Sequence, residues 1–176
     1  MSTTKWVLDP THSEVGFKVK HLMFTNVSGQ FTKFEATATS NEENFDSASF
    51  DFSAEVDSIN TNNADRDGHL KSGDFFDAAQ FPTITFKSTS VSKESEDELK
   101  VTGDLTVHGV TKPVTLDVEF GGIQKDPWGN IKSGFSVTGK INRKDFGLTW
   151  NAALETGGVM LGEEVKLALE LQFVKQ

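Results

Sequence analysis

One stretch of the sequence has oxygen-bearing side chains at the spacing of a calcium-binding loop. Asn63, Asp65 and Asp67 stand at its positions 1, 3 and 5, a glycine follows at position 6, and Asp74 stands at position 12. A calcium loop places its oxygen ligands at such intervals, but it begins with Asp and ends with a bidentate Glu. Lys71 also occupies position 9. We therefore interpret the stretch as a capped helical connection with solvated charges, and we expect no metal.

Four histidines could bind a metal or transfer a proton, namely His12, His21, His69 and His108. Imidazole is a common metal ligand and titrates near neutral pH. The spacing of these histidines matches no zinc motif, and the chain has no cysteine to complete one. We expect them to form hydrogen bonds in turns or at strand ends, and we predict no cofactor.

Asp9, His12 and Ser13 have the residue types of a hydrolase triad. No Gly-x-Ser-x-Gly elbow accompanies them, and neighbouring residues on a strand point to opposite faces. Glycine-rich phosphate-binding motifs are also absent. The sequence therefore predicts no catalytic residue.

Charge and composition narrow the range of partners. The 176 residues include 17 basic and 26 acidic side chains, which gives a net charge of −9. Nucleic-acid binding requires a clustered basic face, so we expect no nucleic-acid partner. No apolar run approaches the roughly 20 residues that span a bilayer, so we expect no stable membrane insertion. The opening residues MSTTKWVLDP lack the apolar run of a secretory leader, which predicts a cytoplasmic setting.

Alternation with a period of two dominates the rest of the chain. Phe50, Phe52 and Ala54 share one face of such a segment, while the residues between them are polar. This pattern is typical of an antiparallel strand with one buried face. About eight strands are predicted, near residues 15–19, 34–38, 50–56, 84–86, 99–107, 114–120, 135–141 and 165–173. Closure into a barrel would hide the strand edges, although a sandwich has the same pattern.

The segment 58–82 has no strand alternation and predicts a short helical connection near residues 62–78. Asn62 or Asn63 and Ser72 are its candidate N-caps. Turns are predicted at 41–44, 93–97, 108–113, 121–122, 126–130 and 157–158. No repeat, linker or low-complexity segment divides the chain, so we expect a single domain, 1–176.

The aromatic content is unusual, since there are 15 Phe and 3 Trp but no Tyr. Phenylalanine brings large apolar area without a hydroxyl that needs a partner. An eight-stranded barrel is just wide enough to be filled by side chains or to hold one small ligand. Composition alone leaves both alternatives open.

Five blocks of the sequence occur in an order that is typical of one family. They are Trp6-Val-Leu-Asp9-Pro-Thr-His12-Ser13-Glu-Val-Gly-Phe17 with His21, Val27, Gly29 and Phe31; Asn60-Thr61-Asn62 with Arg66-Asp67-Gly68-His69-Leu70, Ser72, Asp74-Phe75-Phe76-Asp77 and Phe81-Pro82; Gly103-Asp-Leu105-Thr106-Val-His108-Gly109-Val110-Thr111-Lys112-Pro113-Val114; Arg143-Lys-Asp145-Phe146-Gly147 with Trp150; and Gly158-Val-Met-Leu-Gly162-Glu-Glu-Val165. Together they resemble the YceI-like, polyisoprenoid-binding family.

The resemblance implies an all-β, lipocalin-like antiparallel barrel around an elongated apolar channel. Some members carry a long isoprenoid chain or an isoprenoid quinone, some pair as homodimers, and many are periplasmic. We therefore expect the chain to bind and carry or sequester a long apolar lipid without catalysis. The expected channel residues are Phe17, Val19, Phe31, Phe75, Phe76, Phe86, Leu105, Val107, Phe135 and Phe146.

Polar residues of the same blocks are expected at the channel mouth or in structural pairs: His12, Arg66, Asp67, His69, His108, Arg143 and Asp145. Two alternatives stay open. One is an enzyme acting on an amphiphilic substrate inside the barrel, with His12, His108 or Arg143 as the first candidates. The other is a stress-related protein whose barrel is filled by its own side chains.

Overall fold

The computed structural model describes residues 3–22, 24–151 and 161–176. These residues form eleven strands and one α-helix. In chain order the elements are β1 (Thr3–Leu8), β2 (Glu14–His21), β3 (Thr25–Phe31), β4 (Phe34–Asn41), β5 (Asn44–Glu55), β6 (Ile59–Asn60), α1 (Ala64–Lys71), β7 (Thr83–Lys93), β8 (Glu98–Val107), β9 (Val110–Lys125), β10 (Ile131–Asn142) and β11 (Leu161–Lys175). Short 3-10 turns lie at Pro10–His12, Val56–Ser58 and Arg143–Phe146.

Eight of these strands form a closed antiparallel circuit. The order is β1, β4, β5, β7, β8, β9, β10 and β11, and β11 pairs back onto β1. The closing register sets Trp6 opposite Lys175 and Leu8 opposite Phe173. The predicted eight-stranded barrel is therefore confirmed, and the sandwich alternative is wrong because β1 and β11 leave no free edge between two sheets.

The remaining three strands branch from β11. One edge of β11 pairs with two strands. It pairs with β1 near Phe173 and with β2 from Leu161 to Glu170. β3 then pairs with β2, and the two-residue β6 pairs with β3. α1 is the next element after β6, so the branch positions the helix against the barrel.

Three of the predicted turns differ from the structure or lie outside it. The turn predicted at 108–113 contains only His108 and Gly109, because β9 begins at Val110. Gly121 and Gly122 lie within β9, where the register opposite Gly134 and Phe135 shifts by one residue. Gly122 has a φ of +98°, which glycine adopts readily, so the pair forms a bulge instead of a turn. The turn predicted at 157–158 lies outside the described residues.

The helical connection is shorter than predicted. α1 has eight residues, and Asn63 is its N-cap, with the side-chain oxygen accepting a hydrogen bond from the Arg66 amide at 3.0 Å. Asn62 has a φ of +63° and precedes the cap. Ser72, predicted as an N-cap, ends α1 instead, where its amide donates to the His69 carbonyl. Among the described residues, no helix is long and apolar enough to cross a membrane.

One end of the barrel interior is filled by rings that we call the aromatic cluster: Trp6, Phe45, Phe50, Phe120, Phe135 and Phe173. Trp6 is fully buried, and its ring centre lies 5.1 Å from that of Phe45. Phe45 contacts Phe135 edge to face at 5.0 Å, and Phe135 contacts Phe173 at 5.8 Å. These separations are typical of favourable aromatic pairs. The indole NH of Trp6 donates to Ser40 at 2.8 Å, so its polar atom is also satisfied.

The connection between β1 and β2 depends on one carboxylate. Asp9 accepts hydrogen bonds from the amide and hydroxyl of Thr11, at 3.0 and 2.7 Å, and contacts the His12 ring at 2.8 Å. The hydrogen bond from the Thr11 hydroxyl, followed by that from His12, lowers the pKa of Asp9 from 3.8 to about 2. The charged form is therefore favoured in the folded state.

We predict that Asp9→Asn lowers the free energy of unfolding by about 1–2 kcal/mol at pH 7, because a hydrogen-bonded carboxylate is lost. A carboxylate with a depressed pKa stabilises the fold above its unfolded pKa, and this contribution disappears as the pH falls through the folded value. The difference between variant and wild type should thus shrink between about pH 4 and pH 2. Chemical denaturation across this range measures it.

Asp104→Asn is the control, since it removes an exposed carboxylate from the outer face of β8. We expect it to change stability by less than about 0.5 kcal/mol. A pH-independent loss of stability in Asp9→Asn would contradict the role assigned to the charge.

Candidate functional site

The barrel encloses a cavity of about 590 Å³. Small-molecule pockets typically measure about 300–1,000 Å³. Its wall comes from the inner faces of barrel strands, from β2 and β3 of the branch, and from α1 and the turns that follow it. The wall is mainly aliphatic and aromatic, so the space suits an apolar guest.

β11 shows why the interior stays open. Val165, Leu167, Leu169 and Leu171 alternate with outward-facing residues and line the cavity. All four are only partly buried, although they point into the barrel. Inward apolar side chains keep this exposure because no facing side chain fills the space between them. A barrel filled by its own side chains would bury them completely.

The structure brings together nearly all of the predicted channel residues. The cavity wall contains Phe17, Val19, Phe31, Phe75, Phe76, Phe86, Leu105, Val107 and Phe135. Phe146 is the exception, since it is fully buried but lies outside the wall. β10 ends at Asn142, so the 3-10 turn Arg143–Phe146, and not strand alternation, directs this side chain. Contact of the wall residues with a ligand stays a prediction.

The wall also contains residues that the sequence analysis did not nominate. Leu167, Val137 and Phe52 are examples, each at an inward position of a strand. Their alternation is visible in the sequence, but the nominated residues did not include every inward position. Leu148 and Trp150 follow the 3-10 turn after β10, where no periodic pattern marks an inward position.

Two wall phenylalanines lie against glycines of neighbouring strands. The Phe17 ring covers Gly29 of β3, where an added Cβ would meet the ring Cε1 atom at 2.9 Å. The Phe86 ring covers Gly103 of β8 in the same way, with its Cζ atom 2.6 Å from such a Cβ. Glycine at these two positions therefore lets the rings lie along the wall.

Three polar side chains of the wall lie together at what we call the polar end: Arg66, His69 and Arg143, with Trp150 between the last two. The Trp150 carbonyl accepts from Arg143, and the Trp150 ring lies 4.9 Å from the His69 ring. Arg143 also binds the carbonyl of Gly162, eleven residues before Phe173 of the aromatic cluster. At about 3.3 Å per residue, these eleven residues correspond to about 36 Å of extended chain.

Arg66 and Asp67 organise the connection between β6 and α1. Thr61 donates from its amide and its hydroxyl to Asp67 Oδ1, at 2.9 and 2.5 Å. Arg66 donates from Nε to the Thr61 hydroxyl and from Nη2 to the Thr61 carbonyl, at 2.8 and 2.6 Å. Both side chains thus fix the start of α1, and Arg66 also lines the cavity.

His69 is fixed by both polar and aromatic contacts. Its Nε2 atom lies 2.9 Å from Asp74 Oδ2, and its ring meets those of Phe75 and Trp150 edge to face, at 5.1 and 4.9 Å. The carboxylates of Asp67 and Asp74, which the calcium-like spacing had singled out, therefore bind protein groups. Among the described residues, no group of three or more His, Asp or Glu side chains could hold a metal ion.

Arg143 is the most buried charged side chain of the wall, with 3% of its surface exposed. Nε donates to the Gly162 carbonyl at 2.8 Å, and Nη1 donates to the carbonyls of Leu148 and Trp150, at 2.6 and 2.8 Å. Burial lowers the pKa of Arg143 from its ordinary value, and the charge of Glu163 opposes this effect. The guanidinium keeps its proton at neutral pH because an arginine side chain is not deprotonated in proteins.

The other predicted polar residues lie outside the cavity wall. His12 is exposed beside Asp9. His108, in the turn between β8 and β9, donates from Nδ1 to the Phe146 carbonyl at 3.3 Å, and its ring packs against Phe81. Asp145 is exposed in the 3-10 turn. The contacts of His12 and His108 are those of structural pairs. A place at the channel mouth stays a prediction for all three residues.

A closed antiparallel barrel around an apolar cavity defines the lipocalin-like class of architecture. Within that class, the model of the YceI-like domain matches residues 6–173. A UPF0312 protein of Staphylococcus aureus strain MSSA476 is 44% identical over 171 residues, which is 97% of each chain. The chain therefore belongs to the YceI-like family.

Solved structures share the fold. A YceI protein of Campylobacter jejuni is 34% identical and superposes with a TM-score of 0.78, over 89% of this chain and 90% of that one. BcnA of Burkholderia cenocepacia superposes with a TM-score of 0.81 at 22% identity, over 94% and 98% of the two chains. A polyisoprenoid binding domain from Saccharophagus degradans reaches 0.66 at 17% identity, over 97% and 98%. The last two likenesses show the fold alone.

We predict that Ala36→Trp closes the cavity to apolar guests. Ala36 is a buried wall residue on β4, and the indole would extend into the open space. Binding of the neutral dye N-phenyl-1-naphthylamine, followed by fluorescence, should weaken at least tenfold. Overpacking costs about 1–3 kcal/mol, so the variant should still fold.

Thr39→Trp provides the matched control, because it adds the same side chain to an exposed position of the same strand. Its dye affinity should equal that of the wild type. A folded Ala36→Trp protein with unchanged dye binding would show that the dye does not enter the cavity.

Proposed function

We propose that this chain binds a long apolar lipid inside its barrel and sequesters or carries it without changing it chemically. The observation that carries the proposal is the cavity of about 590 Å³ with a wall of aliphatic and aromatic side chains. An apolar chain that leaves water for such a space gains about 0.8 kcal/mol for each buried CH₂ group. Binding therefore needs no covalent step.

The guest that we propose is a polyisoprenoid or an isoprenoid quinone. The Saccharophagus degradans domain of the same fold is named for polyisoprenoid binding, which supports this class. The shape of the site supports it as well, since the wall follows β11 from Leu161 to Phe173 and thus fits an elongated molecule. A compact guest would leave much of that wall without contact.

The absence of catalysis belongs to the proposal. The three candidate catalytic groups have different surroundings. His12 lies beside Asp9, His108 forms a hydrogen bond with the Phe146 carbonyl, and Arg143 lies in the cavity wall. General acid–base catalysis needs its groups within hydrogen-bond reach of one reacting atom. Of these three groups, only Arg143 borders the guest space, and an arginine is a poor proton donor at neutral pH.

The proposal treats residues 1–176 as one lipid-binding domain. Transport between compartments, a cytoplasmic setting and a homodimer stay predictions. Light scattering during size-exclusion chromatography would decide the oligomeric state of the purified chain. Fractionation of cells that express the full gene would decide the compartment.

We expect the protein purified from a bacterium that makes isoprenoid quinones to hold about one lipid per chain. Native mass spectrometry should show a species heavier than the polypeptide by the mass of the guest. Organic extraction followed by tandem mass spectrometry should then release and identify an isoprenoid compound. Ala36→Trp, purified in parallel, should hold several-fold less, and Thr39→Trp should hold as much as the wild type.

The proposal would be contradicted by a protein that is purified without lipid and that also does not bind a short-chain isoprenoid quinone offered from vesicles. Such a protein would have a cavity that no lipid of this class enters. Incubation of the loaded protein tests the other half of the proposal, because the extracted lipid should keep its mass. A new product that forms in proportion to protein concentration would establish an enzyme.

A further inference from the structure

Arg143 has donor capacity that its protein contacts do not use. A guanidinium carries five N–H groups. The Nε group and the two of Nη1 bind the carbonyls of Gly162, Leu148 and Trp150. Among the described residues, Nη2 has no hydrogen-bond partner, although it is buried. Leaving a buried donor unsatisfied is unfavourable, so this nitrogen calls for an explanation.

The position of Arg143 indicates where its partner would come from. Arg143 belongs to the cavity wall, together with Leu148 and Trp150, whose carbonyls it binds. The other buried polar atom without a partner in the described part of the chain is Ser133 Oγ, and Ser133 is not in the wall. Among the described residues, Arg143 is therefore the wall residue that carries a buried donor without a partner.

The surroundings also define the charge of the partner. None of the ion pairs between described residues includes Arg143, and Glu163, the nearest acidic influence, binds Lys144 at 2.8 Å. A buried guanidinium without a contacting carboxylate favours an acceptor that is negative or strongly polarised. Both neighbouring nitrogens are occupied, so the usual two-pronged contact of arginine is not available. Only Nη2, with its two N–H groups, is left to donate, which suits an acceptor oxygen at the end of a guest.

We propose that Arg143 Nη2 is a head-group subsite, which binds the terminal oxygen of a lipid whose chain extends along β11 toward the aromatic cluster. This inference rests on the proposed function and names the class of guest: an amphiphile with an acceptor oxygen at one end. A carboxylate, a phosphate and a quinone carbonyl share this chemistry. A pure hydrocarbon lacks it and would leave Nη2 unsatisfied.

The guest class can be tested with three probes that share one isoprenoid chain: farnesoic acid, methyl farnesoate and farnesene. Each competes with N-phenyl-1-naphthylamine for the delipidated wild-type protein. We expect farnesoic acid to bind at least tenfold more tightly than farnesene, which is the effect of one charge-assisted hydrogen bond. Methyl farnesoate, a neutral acceptor, should also bind more tightly than farnesene.

The ester distinguishes the possible sources of the oxygen. An ester that equals the acid would assign the subsite to neutral carbonyl guests such as quinones. An ester that is weaker than the acid would assign it to acidic lipids. Both results support the subsite, whereas equal binding of all three probes would overturn it.

Variants locate the effect at Arg143. In Arg143→Met the affinities for the three probes should converge to within about twofold, since the donor and its charge are gone. Arg143→Gln is the alternative if the methionine variant does not fold, because it keeps neutral donors for the backbone carbonyls. Lys144→Met is the matched control, which removes an exposed positive charge from the same turn and should preserve the preference for the acid.

The outcomes separate this inference from the proposed function. If neither the dye nor any probe binds, the proposed lipid-binding function fails. If all bind but farnesene equals the acid, the function stands and the head-group subsite fails. An unchanged preference for the acid in folded Arg143→Met or Arg143→Gln protein would place the head group elsewhere and overturn the role of Arg143.

Discussion

The pairing of β11 with two different strands on one edge is the constraint on which the rest of the fold depends. β11 closes the barrel through β1 near its end and pairs with β2 over its first ten residues. A strand of 15 residues is long enough for both tasks. Closure removes the free edges of the eight-stranded circuit, and the branch supplies the helix that forms part of the cavity wall.

Closure also determines where polar groups can lie. Inward positions of a small barrel face one another across a narrow space that water enters with difficulty, so polar atoms there need partners. At one end of the described wall, Thr61 satisfies Arg66, Asp74 satisfies His69, and backbone carbonyls satisfy three N–H groups of Arg143. Nη2 of Arg143 is left without a partner among the described residues. The aromatic cluster fills the opposite end. The result is a space with a polar end and an apolar end, which matches the form of an amphiphile.

Much of the barrel could be predicted from the sequence, because alternation on strands such as β5 and β11 is long and regular. β1 and β3 were missed for physical reasons. β1 buries only Trp6 and Leu8, and β3 belongs to the branch, where Gly29 interrupts the apolar face between Val27 and Phe31. Similarly, Gly121-Gly122 has the composition of a turn but forms a bulge. Only the register of β9 with β10 distinguishes a bulge from a turn at this position.

The site was predictable in its apolar part and not in its polar part. Strand alternation places Phe17 and Phe86 inside, and Phe17 also lies in a family-like block. The roles of His108 and Arg143 depend on backbone carbonyls of Phe146, Leu148 and Trp150, which carry no signal in the sequence. The unused donor of Arg143 could be recognised only after those bonds were assigned.

A crystal structure of the protein purified from an isoprenoid-producing bacterium without delipidation would show whether the barrel holds a lipid. We expect continuous, elongated electron density inside the barrel, running from the polar end at Arg143 to the aromatic cluster. A structure in which the rings of Phe17 and Phe76 fill the interior, with no space for a guest, would contradict this expectation.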